Sequence, residues 1–167
     1  MALLTPLHDR ARATARRLCR SDAEGDDLFQ ETVLRAFDRL DELRDESRFP
    51  SWFFAILLSV HRGRHRRDFW RRLLPLKDAS EPVRPADADR VDGAERMTRA
   101  LHTLAPKERE AVVLFEIEGF TLDEVAGIQG SSLSAVKSRL ARARTRLRRH
   151  YEKDAATFGR FALEKMP

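Results

Sequence analysis

Apolar residues recur along this chain every three or four positions and almost nowhere every second one, the pattern of helices packed side against side. From about Leu7 to Cys19, residues Leu7, Ala11, Ala15 and Leu18 share one side and arginines take the other. Ser21-Asp22-Ala23-Glu24 starts a new helix, an N-cap serine followed by acids suited to the positive helix end. That helix, predicted from Asp26 to about Leu43, has two unlike faces. Phe29, Val33, Ala36 and Leu40 form the expected core side, while Asp27, Gln30, Glu31, Leu34 and Asp38 cluster opposite. Arg44 to Ser51 reads as a polar loop with Pro50 placed to open a helix.

The segment from Trp52 to about Leu74 changes character midway. Its first half is apolar nearly all round. Phe49, Trp52, Ile56 and Val60 are the expected core face, which leaves Phe54 and Leu58 pointing outward and wanting a partner. Its second half, HRGRHRRDFWRRL, interleaves cations with aromatics. Phe69 and Trp70 either stack on unpaired bases or close the core against the first helix. Pro75 to about Val91 has no apolar period and is rich in proline, alanine and acids, as expected of a flexible linker. The expected organisation is all-α: a helical domain over 1–74, a linker over 75–94, a second helical domain over 95–153 and a tail over 154–167. Met97, Ala100, Leu101 and Leu104 open the second domain. Pro106 starts the next helix, KEREAVVLFEIE, which ends at Gly119.

The stretch from Thr121 to Arg149 points to a partner. Thr121 and Glu124 stand in capping-box spacing, and Leu122, Val125 and Ala126 make a short apolar stripe that Gly130-Ser131-Ser132 breaks. In the longer helix that follows, Val136, Leu140, Ala143 and Leu147 form a single seam. Opposite the seam lie Ser134, Ala135, Ser138 and Arg142, flanked by Lys137 and Arg139. Short helix, tight turn and long basic helix make a helix-turn-helix, whose second helix meets base edges in the major groove. Small residues there permit close approach, and Lys and Arg supply phosphate and guanine contacts.

A net charge of +5 suits a polyanionic partner, while 35% charged residues of both signs imply local segregation. Cys19 is the one cysteine, which excludes an internal disulfide and a cysteine metal site. It reads as a small core residue. The N-terminus MALLTPLHDR is too short for a signal peptide, and the longest apolar run, Trp52 to Val60, is far below spanning length. A cytoplasmic protein without membrane insertion is expected. An enzyme reading would start from Asp22, Glu24, Asp26, Asp27 and Glu31 with His61 and His65. Capping and dipole chemistry already accounts for the acids, and the histidines sit among cations that repel a metal. No catalytic, cofactor or metal residues are expected. A stand-alone helix-turn-helix repressor is the alternative, although no dimer face or effector pocket is visible and the acidic face would go unexplained.

DLFQETVLRAF, the SRFPSW segment with its helix, LAPKEREAVVLFEIEGFTLDEVA and SAVKSRLARARTRLR together resemble the extracytoplasmic-function (ECF) group of bacterial sigma factors. The resemblance covers nearly the whole chain except linker and tail. It implies a dissociable subunit of RNA polymerase with no catalytic residues, built from regions 2 and 4. It implies core-polymerase binding (β′ clamp and β flap), promoter DNA recognition and control by an anti-sigma factor. It assigns Asp27, Gln30, Glu31 and Leu34 to the polymerase. Arg48, Phe49, Trp52, Ser59, Arg62, Arg66 and Arg67 fall to the minus-ten element. Ser134, Ala135, Lys137, Ser138, Arg139 and Arg142 fall to the minus-thirty-five element, with Ser138 and Arg142 expected to read bases and Lys137 and Arg139 to hold phosphates. The chain departs from the family where Ser59 replaces an asparagine, Gly63 an aspartate and Ser131 an apolar turn residue. Two further expectations concern surfaces. Charge reversal at Glu31, taken as exposed, should leave stability within about 0.5 kcal/mol. Phe54, Leu58 and the tail around Phe158 and Phe161 should cover one another or a partner, with the linker acids along the arginines.

Overall fold

The computed structural model describes residues 3–73 and 93–164, with side chains over 3–67, 93 and 96–153. Among them there is no strand, and the chain divides into two compact units, Met1–Glu95 and Arg96–Pro167.

The first unit holds α1 (His8–Leu18), α2 (Asp22–Asp38) and α3 (Phe49–Leu73). Ser21 caps α2 by accepting the amide of Glu24, as its residue type predicts. Leu7, Ala11, Ala15 and Leu18 of the first segment are buried, as are Leu28, Phe29 and Ala36 of α2, the helix on which α1 packs. The two helices approach so closely that a Cβ on Gly25 would lie 2.5 Å from the Arg16 Cα. Cys19 is buried beside this core. The core stripe of α2 runs through Gly25, Leu28, Phe29, Thr32 and Ala36, which keeps Phe29 and Ala36 of the expected set. Val33 is half-buried and Leu40 exposed. Thr32 satisfies its hydroxyl inside the core by donating to the Leu28 carbonyl at 2.7 Å.

Helix α2 stops at Asp38 rather than continuing to Leu43. Arg39 folds onto Glu42 (Nη2 to Oε2 2.7 Å) around a 3-10 turn, Leu40–Glu42. A second turn, Glu46–Arg48, is capped by Asp45, whose carboxylate accepts the Ser47 amide. Such local side-chain bonds compete with helical ones and end the element. Helix α3 then begins at Phe49, with Pro50 in its first turn.

One expectation is reversed in α3. Phe54 and Leu58 are 0% and 1% exposed, inside the core with Phe53, Leu57 and Val60. A single-seam wheel assumes one neighbour, but α3 packs on both α1 and α2 and so buries more of its circumference. Phe54 meets Phe53 edge to face, ring centroids 6.5 Å apart. Residues 75–92 of the expected linker lie outside the described residues, as do the side chains of Phe69, Trp70, Phe158 and Phe161.

Helix α4 (Gly93–His102) leads into the second unit, which holds the rest of it with α5 (Pro106–Val112), α6 (Leu122–Gln129) and α7 (Leu133–Glu164). Arg109 is buried and caps the end of α4, donating from Nε to the Leu101 carbonyl at 3.1 Å. Helix α5 widens into a π turn over Val113–Ile117, where the Glu118 amide reaches the Val113 carbonyl at 2.9 Å. Gly119, at φ +74°, releases the chain into α6. Ala111, Val112, Val113 and Leu114 form the core with Leu101, Leu104, Val125, Ile128, Val136, Leu140 and Ala143.

Candidate nucleic-acid interface

The helix-turn-helix is built by local rules. Thr121 and Glu124 form the capping box in both directions: the Glu124 carboxylate accepts the Thr121 amide at 2.8 Å, and the Thr121 hydroxyl accepts the Glu124 amide at 3.3 Å. Gly130 ends α6 in the left-handed region, φ +59°. Its amide bonds to Gly127 O, and that of Ser131 to Ala126 O, which makes a Schellman closure. Ser132 then caps α7, its hydroxyl accepting the Ala135 amide at 3.3 Å.

On α7, Val136, Leu140 and Ala143 are buried and Leu147 half-buried. Ser134, Ser138, Ala141 and Thr145 run along the exposed side at helical spacing. Lys137, Arg144 and Arg148 border this strip on one edge, Arg142 and Arg149 on the other, all exposed; Ala135 is half-buried at the rim. The result is a floor of small residues between two cationic edges. Ala141 and Thr145 extend the expected set, and the same wheel contains them.

Two arginines of this helix are not simply outward. Arg139 is half-buried and its Nη1 donates to Gln129 Oε1 at 2.7 Å and to Ser131 Oγ at 2.8 Å. Gln129 in turn donates to Glu110 Oε2 at 3.1 Å and to the Lys107 carbonyl at 3.0 Å. The polar turn residue Ser131 is thus tied down by a network that reaches α5. Arg142 donates from Nε to Glu108 Oε1 at 3.1 Å.

In the first unit the cations of α3 divide between two sides. Trp52, Ala55, Ser59, Arg62 and Arg66 follow one another at i, i+3, i+7, i+10 and i+14, a single stripe. Ser59 and Arg66 are exposed and Trp52, Ala55 and Arg62 half-buried. Gly63 lies on the same side with open space around its Cα, so no packing contact requires glycine there. Phe49 is buried and packs against Trp52, ring centroids 5.9 Å apart and tilted by 39°, so its ring belongs to the core. Arg48 stands exposed at the entrance of the helix, 3.5 Å from Asp45.

The other side of α3 faces α2. Arg64, which sequence spacing does not single out, donates from Nε to Glu31 Oε2 at 2.8 Å and from Nη2 to the Asp27 carbonyl at 2.9 Å. Glu31 also meets Arg35 at 2.8 Å and Arg67 at 3.7 Å. Burial pushes the Glu31 carboxyl up, but the Arg64 hydrogen bond and the charges of Arg64, Arg35 and Arg67 outweigh it and hold it below the usual range. The α2 face is therefore not purely acidic, and Glu31 is not an open surface group. Asp27 and Gln30 remain exposed, and Leu34 is 67% exposed beside Phe37 at 70%. Asp26 does not share this face. It receives two nitrogens each from Arg12 and Arg16, at 2.7–2.8 Å, and clamps α1 to α2. Hydrogen bonds from Arg12 and Arg16 depress its carboxyl strongly. Among the described residues no group of acids, histidines and cysteines could hold a metal ion, and no helix is long and apolar enough to cross a membrane.

A three-helix unit with a Trp-to-Arg stripe, followed by a unit carrying a helix-turn-helix, defines a nucleic-acid-binding protein with two separate modules. Two family models match these units in order: "Sigma-70 region 2" over residues 3–72 and "Sigma-70, region 4" over residues 94–147. The ECF RNA polymerase sigma factor EcfG of Rhodopseudomonas palustris is 34% identical over 145 residues, covering 81% of this chain and 76% of that protein. SigM, an ECF sigma factor of Mycobacterium tuberculosis, is 32% identical over 142 residues, covering 85% and 71%. Among solved structures, the sigma factor RpoE of Bartonella quintana, in complex with the anti-sigma factor NepR, superimposes with a TM-score of 0.75 at 27% identity. That match covers 89% of this chain and 94% of RpoE. The chain belongs to the ECF sigma factors of the sigma-70 family.

Proposed function

We propose that this ECF sigma factor works as a two-point promoter gauge on core RNA polymerase, each unit reading one element. The observation that carries the reading is the pair of outward stripes, Trp52 to Arg66 on α3 and Ser134 to Thr145 on α7, one in each unit. An aromatic plate followed by cations suits the stacked, unpaired bases and backbone of a melted minus-ten element. Here Trp52 offers the plate, with Phe49 as its support, and Arg48, Ser59, Arg62 and Arg66 line the strand path. Arg67 stands at the margin, between this path and Glu31. The α7 floor admits the duplex minus-thirty-five element, with Ser138 and Arg142 toward base edges and Lys137 toward phosphate. Arg139 acts mainly from beneath, by fixing the turn.

The exposed α2 face, Asp27, Gln30, Leu34 and Phe37, docks on the polymerase clamp, with Glu31 holding that face in register through Arg64. Acids there would repel DNA, so the partner is protein. An anti-sigma factor is the expected regulator, since the similar RpoE of B. quintana is bound by one. The chemistry of RNA synthesis rests with the polymerase, and the protein acts in the cytoplasm. Run-off transcription with core polymerase on genomic fragments tests the reading. Added chain should produce defined start sites that share two spaced upstream elements. Retention on core polymerase with no start site of its own would overturn the promoter-gauge reading.

A further inference from the structure

Glu108 lies on α5, away from the exposed floor of α7, yet its carboxylate is aimed at that helix. The side chain is 6% exposed and meets two arginines: Arg142 Nε at 3.1 Å and Arg146 Nη1 at 3.4 Å. Its Oε2 also accepts the Ala105 amide at 3.4 Å, which fixes the carboxylate against the start of α5. Glu108 is therefore an anchored group. Arg142, by contrast, is 58% exposed and sits on the edge of the floor.

The atom that makes the contact matters. Among the described residues the one hydrogen bond of Arg142 leaves from Nε, so its terminal Nη1 and Nη2 remain for another partner. Guanine presents O6 and N7 side by side in the major groove, and two nitrogens of a guanidinium match them. A long arginine side chain loses much rotamer freedom when it reads a base, and a carboxylate that holds it beforehand removes part of that cost. A charge-assisted bond from a nearly buried carboxylate is a suitable holder.

We infer that Glu108 is a positioning residue for promoter recognition: it buttresses Arg142 from below so that the guanidinium end reads a guanine of the minus-thirty-five element. The inference rests on the reading of α7 as the duplex reader. It predicts that a residue which never touches DNA sets specificity at one base pair. It also predicts that Arg146, the second arginine on the same carboxylate, contributes to holding and not to reading.

The test uses the full chain assembled with core polymerase, on promoter duplexes in which each base pair of the upstream element is varied in turn. Glu108→Gln keeps the size and an oxygen for the Ala105 amide but removes the charge. It should reduce discrimination at one guanine position by about fivefold to tenfold, within the range of a good bidentate contact. Other positions and the salt slope should stay as in the wild type. Arg142→Ala should relax the same position, and the double variant should lose no more than Arg142→Ala alone, because the two act through one contact. A second carboxylate variant, Glu108→Asp, should fall between wild type and Glu108→Gln. Circular-dichroism melts of each variant identify any that fail to fold. If Arg142→Ala relaxes a position while both Glu108 variants fold and keep the wild-type profile, the buttress is wrong and the reader stands. If Arg142→Ala leaves every position unchanged, the reader assignment fails and the buttress with it. A uniform gain in affinity in Glu108→Gln would mean that the carboxylate competes with DNA, which also overturns the inference.

Discussion

Helices α3 and α7 both carry long basic runs, but they use their cations differently. In its first three turns α3 buries Phe53, Phe54, Ile56, Leu57, Leu58 and Val60, whereas α7 buries a narrow seam of Val136, Leu140 and Ala143. The broad burial of α3 brings part of its basic half against α2, and Arg64 ends on Glu31 and two backbone carbonyls. The narrow seam of α7 leaves most of its circumference in water; Arg142 and Arg146 reach inward to the nearly buried Glu108, while a further pair lies at the rim. Arg144 meets Glu116 with both side chains well exposed, a pair worth about 0–1 kcal/mol. The difference shows that the field DNA meets is set by how much of a helix is buried. A count of Lys and Arg along the chain does not give it.

The largest expected effect breaks this comparison at its apolar root. Phe54→Ala should cost about 3–5 kcal/mol, as for large aromatic truncations in a core. Ala141→Ser on the α7 floor should stay within about 0.5 kcal/mol. Urea unfolding midpoints compare the two. A cost under about 1 kcal/mol for Phe54→Ala would return that ring to the surface.

The next effect is electrostatic. The Glu31 carboxyl is held below its ordinary value in the folded chain, so its ionised form is the one that folding favours. Its contribution is therefore complete above the ordinary glutamate pKa and is lost as pH falls through the depressed one. Glu31→Gln should cost about 1.5–3 kcal/mol at neutral pH, the range for a hydrogen bond to a charged group. That deficit should shrink as the pH falls through the acid range. Thermal melts of the two proteins from pH 7 downward make the check; a constant gap would mean that the Glu31–Arg64 pair does not act through ionisation.

The parts of the molecule that were legible in the sequence are those made by neighbours in sequence. Ser21, Thr121 with Glu124, and Gly130 act within five residues of themselves, so composition and spacing suffice. The seam of α7 was legible because one neighbour face dominates. Phe54 and Leu58 were not, because a wheel cannot show that α3 has two packing partners. Contacts between distant positions were equally hidden: Glu31 with Arg64, 33 residues on, and Glu108 with Arg142, 34 residues on. Several arginines in either run had the reach, and only the fold selects which of them meet the carboxylate.

A smaller effect sharpens the α7 side. Arg139 was expected on phosphate, but it donates to Gln129 and Ser131 beneath the surface. Arg139→Ala leaves Gln129 Oε1 without that charged donor and should cost about 1–3 kcal/mol of stability. Ser131→Ala removes one arm of the same network and should cost less, about 0.5–1.5 kcal/mol. Denaturant curves that show no loss in either variant would detach the turn from this network.

The smallest effect on stability should accompany the clearest effect on DNA. Lys137 on α7 and Arg66 on α3 are exposed, and neither makes an ion pair or hydrogen bond among the described residues. Their alanine variants should therefore melt within about 0.5 kcal/mol of wild type. Removing the cation from one phosphate lowers the salt slope by about 0.9 on duplex DNA and by about 0.7 on a single strand. Lys137→Ala should thus flatten the salt dependence of promoter binding by nearly one unit and weaken all upstream sequences alike. Arg66→Ala should flatten it slightly less and slow formation of the melted complex, because the proposed path of the opened strand runs along its stripe. Potassium permanganate footprinting follows the melting step, and filter binding from low to moderate salt gives the slope. Equal slopes in wild type and both variants would place these cations away from the backbone, and the contrast between the two helices would then be confined to packing.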